Sequence, residues 1–261
     1  MMLYANISWR FLRVWWRNVV VYRRVWKVNF LIPLFEPAFY LLAFGIGFRN
    51  LVGNVGYAGL TLSYTEFIAP ALIATAVMWN SFFETTYSSF VRAFYQKTFD
   101  AMIATPLSLE EIILAEVIWG ATKSAAAAAI MLVVLCPLGY VALPSGLLII
   151  PLAFLGGIAF GAIGMWFTGI VPSIDMFNLP IFLFLTPLFL FSGTFFPVGA
   201  LPAWAQKTSL AFPLYHVVEL CRLFSLGRME AMPLLSIGYL LIFAVVFLAV
   251  AIRAMRRRLI V

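Results

Sequence analysis

Six long apolar stretches succeed one another along this chain, at 29–48, 65–91, 109–136, 146–170, 176–196 and 233–252. A helix needs about 20 apolar residues to cross the roughly 30 Å hydrocarbon core of a bilayer. Inside that core every backbone amide must find its partner within the element, so such stretches are helices. Charged residues make up only 10% of the chain, too few to cover a soluble globule of 261 residues. The expectation is an all-α membrane protein with six transmembrane helices in one domain, 1–261. The first apolar run opens near 28 without a small-residue cleavage pattern and is expected to stay in the protein.

Charge gives the orientation. Six basic residues precede 29, Arg92 and Lys97 lie between the second and third stretches, and Arg253, Arg256, Arg257 and Arg258 follow the sixth. Arg49, Lys207, Arg222 and Arg228 are the four on the opposite side. Basic flanks resist translocation, so both termini and the 92–108 connection are expected in the cytoplasm. The net charge of +7 therefore reads as topology rather than as a track for nucleic acid.

The 92–116 connection is the sizeable polar feature on the expected inner side. Residues 96–105 fit a short surface helix, which Pro106 stops by disfavouring helix at Thr105. Ser108 and Glu111 then fit a capping box that starts the third span, as Ser63 and Glu66 do for the second. A short helix bounded on both sides transmits a push better than a loose loop.

Before the first span, Arg10, Arg13, Arg17, Arg24 and Lys27 share one helical face, and Leu12, Trp15, Val19, Tyr22 and Trp26 another. This pattern predicts an interfacial amphipathic helix over 1–28, its tryptophans at headgroup depth. Between spans 5 and 6, the segment 197–230 carries Pro202 and Pro213, which suit first helical turns near 203–211 and 214–225. Helices that short cannot cross a bilayer, so they are expected to re-enter or lie flat on the outer side. Gly157, Gly161 and Gly164, like Ala121, Ala125 and Ala129, form small-residue faces for close helix packing. Pro180 and Pro187 predict a kinked fifth span.

No phosphate-binding loop is present: Gly120-Ala121-Thr122-Lys123-Ser124 lacks the required glycine spacing. Metal and nucleophile motifs of the HExxH, CxxC and GxSxG kinds do not occur, and His216 is the lone histidine. Cys136 and Cys221 read as two buried thiols. Ions inside the membrane are the stronger signal, because each costs about 2.5–3.5 kcal/mol or more to insert. Glu84, Glu116 and Lys123 are such groups, and Asn80, Glu84 and Ser88 recur at every fourth residue of span 2. Two readings stand side by side: a polar seam for a headgroup, or a structural ion pair between Glu84 and Lys123.

The motifs Phe83-Glu84-Thr85-Thr86-Tyr87, Thr98-Phe99-Asp100-Ala101-Met102, Thr105-Pro106-Leu107, Ala121-Thr122-Lys123, Thr186-Pro187-Leu188-Phe189-Leu190-Phe191-Ser192-Gly193, Phe196-Pro197 and Leu201-Pro202 resemble the permease subunits of ABC-2 type exporters. They are most similar to the nodulation protein J (NodJ) family. That resemblance extends over nearly the whole chain. It implies a homodimer in the bacterial inner membrane that docks a separate NodI-type ATPase through a cytoplasmic coupling helix at about 95–105. The implied contact residues are Gln96, Thr98, Phe99, Asp100, Met102, Thr105 and Pro106. It implies an outer gate with Ser192, Gly193, Pro197, Pro202 and Arg222. The implied cargo is a lipid-linked saccharide, and similar permeases also export drugs and other lipids. No cofactor is expected on this chain; ATP and Mg belong to the partner. Two other classes compete: an ion-coupled carrier using the intramembrane ions, and a membrane enzyme on lipid-linked sugars, for which Asp175, His216 and Glu219 are scattered.

Overall fold

The computed structural model describes residues 7–47, 53–57, 59–228 and 233–260. Parts of the expected interfacial segment (1–6), of the first outer connection with Arg49 and Asn50, of the 229–232 connection and of the tail lie outside the described residues. So do most side chains between 28 and 47.

Among the described residues the regular structure is helical apart from one hairpin. Helices α1 (Phe11–Gly47), α2 (Tyr64–Tyr95), α3 (Thr98–Ile103), α4 (Leu109–Leu135) and α5 (Ile149–Ile170) are followed by α6 (Ile174–Phe191), α7 (Ala203–Ser209), α8 (Pro213–Ser225) and α9 (Pro233–Leu259). Among the described residues, α2, α4, α5, α6 and α9 are long and apolar enough to cross a membrane. Strands β1 (Asn54–Tyr57) and β2 (Leu60–Ser63) pair antiparallel with Asn54 opposite Ser63, a hairpin absent from the all-helical expectation.

Two helices were expected before residue 48, and the backbone forms one. Its 37 residues reach about 55 Å, well beyond a bilayer core. The face assignment also changes. Trp15 and Tyr22, expected against lipid, turn toward α4: Trp15 Nε1 donates to Thr122 Oγ1 at 3.0 Å, and the Tyr22 ring meets Trp119 edge-on at 5.4 Å. Their polar or quadrupolar edges find protein partners, while Leu12, Trp16 and Val20 remain exposed.

Both capping boxes form. The Ser63 and Ser108 side chains accept from the amides of Glu66 and Glu111, whose carboxylates bond back to the capping residues' amides. Helix α2 runs past the expected end at 91 to Tyr95, widening by a residue per turn at Glu84–Ser88 and Val91–Tyr95.

Helix α5 is the central post, packed by α2, α4, α8 and α9. A Cβ on Gly157 would stand 2.6 Å from the Ala121 Cα, which shows why these backbones need glycine there. Ser81 Oγ then reaches the Gly157 carbonyl at 2.5 Å and Thr168 Oγ1 the Thr85 carbonyl at 2.7 Å, so hydrogen bonds follow the close approach. On α4 the buried small residues are Ala115, Gly120, Ala121, Ser124, Ala127 and Ala128; Ala125 and Ala129 stand half-exposed, because the true seam drifts off the every-fourth-residue line.

Helix α6 ends at Phe191, short of the expected 196, and opens into a wide turn at Ile181–Leu185 after Pro180. Pro187 has no amide to donate, and the Thr186 amide and hydroxyl (3.0 Å) both bond the Ile181 carbonyl across the wide turn. The prolines at 202 and 213 do open α7 and α8. Contacts gather the elements at two ends. The start of α1, α3 and the arginine-rich end of α9 meet at one, through Arg10 to the Pro106 carbonyl (2.8 Å) and Arg256 to Glu110 (3.7 Å). The hairpin and α8 meet at the other, through Tyr57 and Glu219.

Candidate functional site

Glu84 sits where α2 first widens, and Arg92 lies in the second wide turn. In an unbroken α-helix these positions would differ by about 80° in direction. One extra residue in a turn takes back about 100°, which brings both side chains onto nearly one face.

Arg92 Nη2 is 2.8 Å from Glu84 Oε1 and 2.5 Å from Glu116 Oε2 on α4. Lys123 Nζ, also on α4, is 2.8 Å from the second Glu84 oxygen. Helix α1 closes the group: Asn18 Nδ2 donates to Glu116 Oε1 at 3.0 Å, while Ser89 Oγ donates to Glu116 Oε2 at 2.8 Å. Lys123, Glu84, Arg92 and Glu116 thus alternate in sign and sum to zero. Glu116 is fully buried and Glu84 is 5% exposed, where a lone carboxylate would be prohibitive and a fully bonded one is tolerated. Arg92 Nε is buried without an acceptor among the described residues.

A cavity of about 540 Å³ adjoins this chain of charges between α1, α2 and α4, with Arg17, Tyr22, Glu84, Ser88, Arg92 and Lys123 on its wall. Arg17 stands outside the neutral set, its Nη1 3.5 Å from Met102 Sδ. The expected polar stripe is not continuous. Asn80 bonds its own helix at the Ala76 carbonyl (2.9 Å), and the wide turn gives the inward place to Ser89 rather than Ser88.

Lys97 adopts φ 54°, a left-handed conformation that separates α2 from α3. The six residues of α3 replace the longer 96–105 helix expected. Gln96, Asp100, Thr105 and Pro106 are exposed and Thr98 half-buried, whereas Phe99 and Met102, expected to face a partner, are buried. Phe99 packs in a core with Val14, Ile112 and Met255, so it ties α3 to three other helices. Asp100, 53% exposed, pairs with Lys97 at 3.6 Å. The Thr105 hydroxyl returns to the Met102 carbonyl at 2.6 Å and closes the turn before Pro106.

At the opposite end Arg222 of α8 is 1% exposed. Its Nη2 donates to the Gly193 carbonyl at 2.6 Å, its Nε to the Phe67 carbonyl at 3.1 Å, and its Nη1 to Glu219 at 3.3 Å. The guanidinium also lies 3.7 Å over the Phe67 ring. Tyr57 OH donates to the other Glu219 oxygen at 2.6 Å; burial, then that carboxylate, push the phenol well above its ordinary range. Gly193 has φ 75°, and a Cβ there would meet Val198 Cγ2 at 2.7 Å. Ser192 is buried beside it, Pro197 opens the tight turn Val198–Ala200, and the Pro202 carbonyl accepts the first amide bond of α7 at 2.9 Å. His216 bonds Ser236 and the Leu210 carbonyl, so it is occupied within the fold.

The family model of the ABC-2 type transporter matches residues 10–226. The chain belongs to the ABC-2 type transporter family. Nodulation protein J of Rhizobium leguminosarum bv. trifolii is 37% identical over 98% of this chain and 95% of its own. Nodulation protein J of Rhizobium meliloti (strain 1021) is 34% identical over 97% and 95%. The inner membrane transport permease YadH of Escherichia coli (strain K12) is 25% identical over 90% of each chain.

Within this ABC-2 permease, the Glu84–Lys123 contact that the sequence left open forms at 2.8 Å, and Arg92 brings Glu116 into the same group. The residue that reading missed is Arg92, counted as a topology charge in a connection. Its signal was present: it lies eight residues after Glu84 on what proved to be the same helix. Tyr57 and Glu219 were also missed, since nothing local marks a pairing across 162 residues.

Proposed function

We propose that this chain is the membrane subunit of an ATP-driven exporter that carries an amphipathic, lipid-linked saccharide outward. Two copies line a path, and a separate NodI-type ATPase, which binds the ATP and Mg, docks on the exposed side of α3. The carrying observation is the continuity from α3 to the charge chain. Phe99 fixes α3 in the core, and α3 joins directly to the α2 turn holding Arg92 and the α4 start leading to Glu116. A push on α3 therefore moves the helices whose buried charges must stay in register, a two-state element rather than a soft one.

In this reading α1 supplies the sixth span after an interfacial first part, both termini and α3 lie in the cytoplasm of a bacterial inner-membrane protein, and α7 and α8 re-enter from outside. In this reading the single domain is parted at 1–28, 29–196, 197–230 and 231–261, although α1 runs unbroken across the first boundary. The cavity at Arg17, Arg92 and Lys123 suits the polar head of a lipid, whose tails stay in hydrocarbon. Arg222 holds the outer gate closed through Gly193, and Ser192, Pro197 and Pro202 shape the strand of chain it clamps. Opening must release that guanidinium.

Proteoliposomes decide the matter. With the partner ATPase, ATP should drive movement of a lipid-linked oligosaccharide, and the chain alone should move none. Gradient-driven movement without the ATPase would make it a carrier, and turnover of the lipid-sugar would make it an enzyme.

A further inference from the structure

A second cavity, of about 660 Å³, lies between the end of α5 and the last turns of α9, and nothing in the transport path uses it. Its wall includes Trp166, Ile170, Pro172, Arg253, Arg257 and Arg258. The three arginines are not equivalent. Arg258 is spent on the protein: its Nη1 donates to the Thr168 carbonyl at 2.8 Å and to the Val171 carbonyl, and its guanidinium stacks 4.0 Å over Phe94. Arg256, on the next face, reaches Glu110. Arg253 and Arg257 are exposed and have no carboxylate or carbonyl partner among the described residues.

These two lie four residues apart, so one helical turn of about 6 Å separates them on a single face. They stand where the apolar run of α9 gives out, beside an indole and a proline at the end of α5. That is headgroup depth. Orientation alone asks for basic residues near a span and places no demand on a cavity or on Trp166.

We propose that this cleft binds the phosphate of an anionic phospholipid headgroup, held in the fork of Arg253 and Arg257. Guanidinium groups match phosphate oxygens in paired, charge-assisted hydrogen bonds, and the acyl chains then run along the exposed apolar face of α9, at Leu241, Ile242, Val245 and Val246. Because Arg256 and Arg258 of the same turns hold Glu110 and the α5 terminus, the bound lipid braces α9 against both.

The full chain, purified in mild detergent, is mixed with equal phosphatidylglycerol and phosphatidylcholine, and retained lipid is counted by native mass spectrometry. Phosphatidylglycerol should be favoured, and the R253Q/R257Q variant should lose about tenfold of that preference. R253K/R257K, which keeps charge without the fork, should fall between them. Thermal unfolding of the wild type should rise with phosphatidylglycerol and not in the Gln variant. Equal retention of the two lipids overturns the proposal, as does a preference that survives both Gln substitutions. Inorganic phosphate giving the same thermal rise would also overturn it, by making this a free-anion site. Should the double variant fail to insert, the single R253Q and R257Q variants carry the test, and an unchanged preference in both counts against the site.

Discussion

Arg92 reaches Glu116 across 2.5 Å, joining the last turns of α2 to a buried position two turns into α4. The same guanidinium nitrogen holds Glu84, so one cation neutralises much of two buried carboxylates. Removing it leaves Lys123 on Glu84 and the neutral donors Asn18 and Ser89 on Glu116. Arg92→Gln should therefore destabilise the chain by about 3–5 kcal/mol, the usual cost of stranding a buried charge. Lys123→Gln should cost less, because Arg92 still serves Glu84 and the lysine is partly exposed. Thermal unfolding in detergent of the two variants checks the ranking.

Glu84→Gln keeps the shape of the chain of charges and removes one of its signs. The folded yield should persist while ATP-driven transport falls, since Lys123 and Arg92 lose the partner that holds their register. Folded protein measured alongside transport in proteoliposomes separates the two effects; loss of folded protein would assign Glu84 a structural role only.

On α3 the expected contact residues divide. Phe99→Ala should cost about 3–5 kcal/mol through the buried ring it removes. Asp100→Asn should leave unfolding unchanged, because the carboxylate meets an exposed lysine, and should weaken stimulation of the partner ATPase. A melt and an ATPase assay on each variant test the division.

Gly157→Val places a branched side chain against the Ala121 backbone and should destabilise by about 1–3 kcal/mol or more. Gly238→Val, a glycine with open space around it, should be nearly neutral. Comparing their melting midpoints checks that α4 and α5 touch through backbone.

His216 carries a pH dependence. Burial pushes its imidazole below the ordinary value near 6.5, so the folded state resists protonation more than the unfolded state does. Its contribution is present above about pH 6.5 and is lost as pH falls through the lower folded-state value. Unfolding midpoints between neutral and mildly acidic pH should drop more steeply for the wild type than for His216→Gln.

Much of this was legible in the residues. Ser63 with Glu66 and Ser108 with Glu111 announced two helix starts, Pro202 and Pro213 announced two more, and apolar length announced the five helices long enough to span among the described residues. What stayed hidden depended on the exact helical pitch or on distance along the chain. The wide turns in α2 shifted Ser89 inward and swung Arg92 beneath Glu84, and no periodicity count reports an added residue per turn. The family resemblance made Phe99 a contact residue; its burial needed α1, α4 and α9 to converge. Besides Glu219, the Arg222 clamp took its acceptors from the Phe67 and Gly193 carbonyls, which carry no sequence signature.

A photo-crosslinking residue at position 100, compared with one at Lys207, tests the mechanism most directly in membranes that contain the partner ATPase. Crosslinks to the ATPase should form from position 100 and not from position 207. An ATPase that co-purifies with the chain yet crosslinks only from position 207 would contradict both the docking role of α3 and the inward orientation it requires.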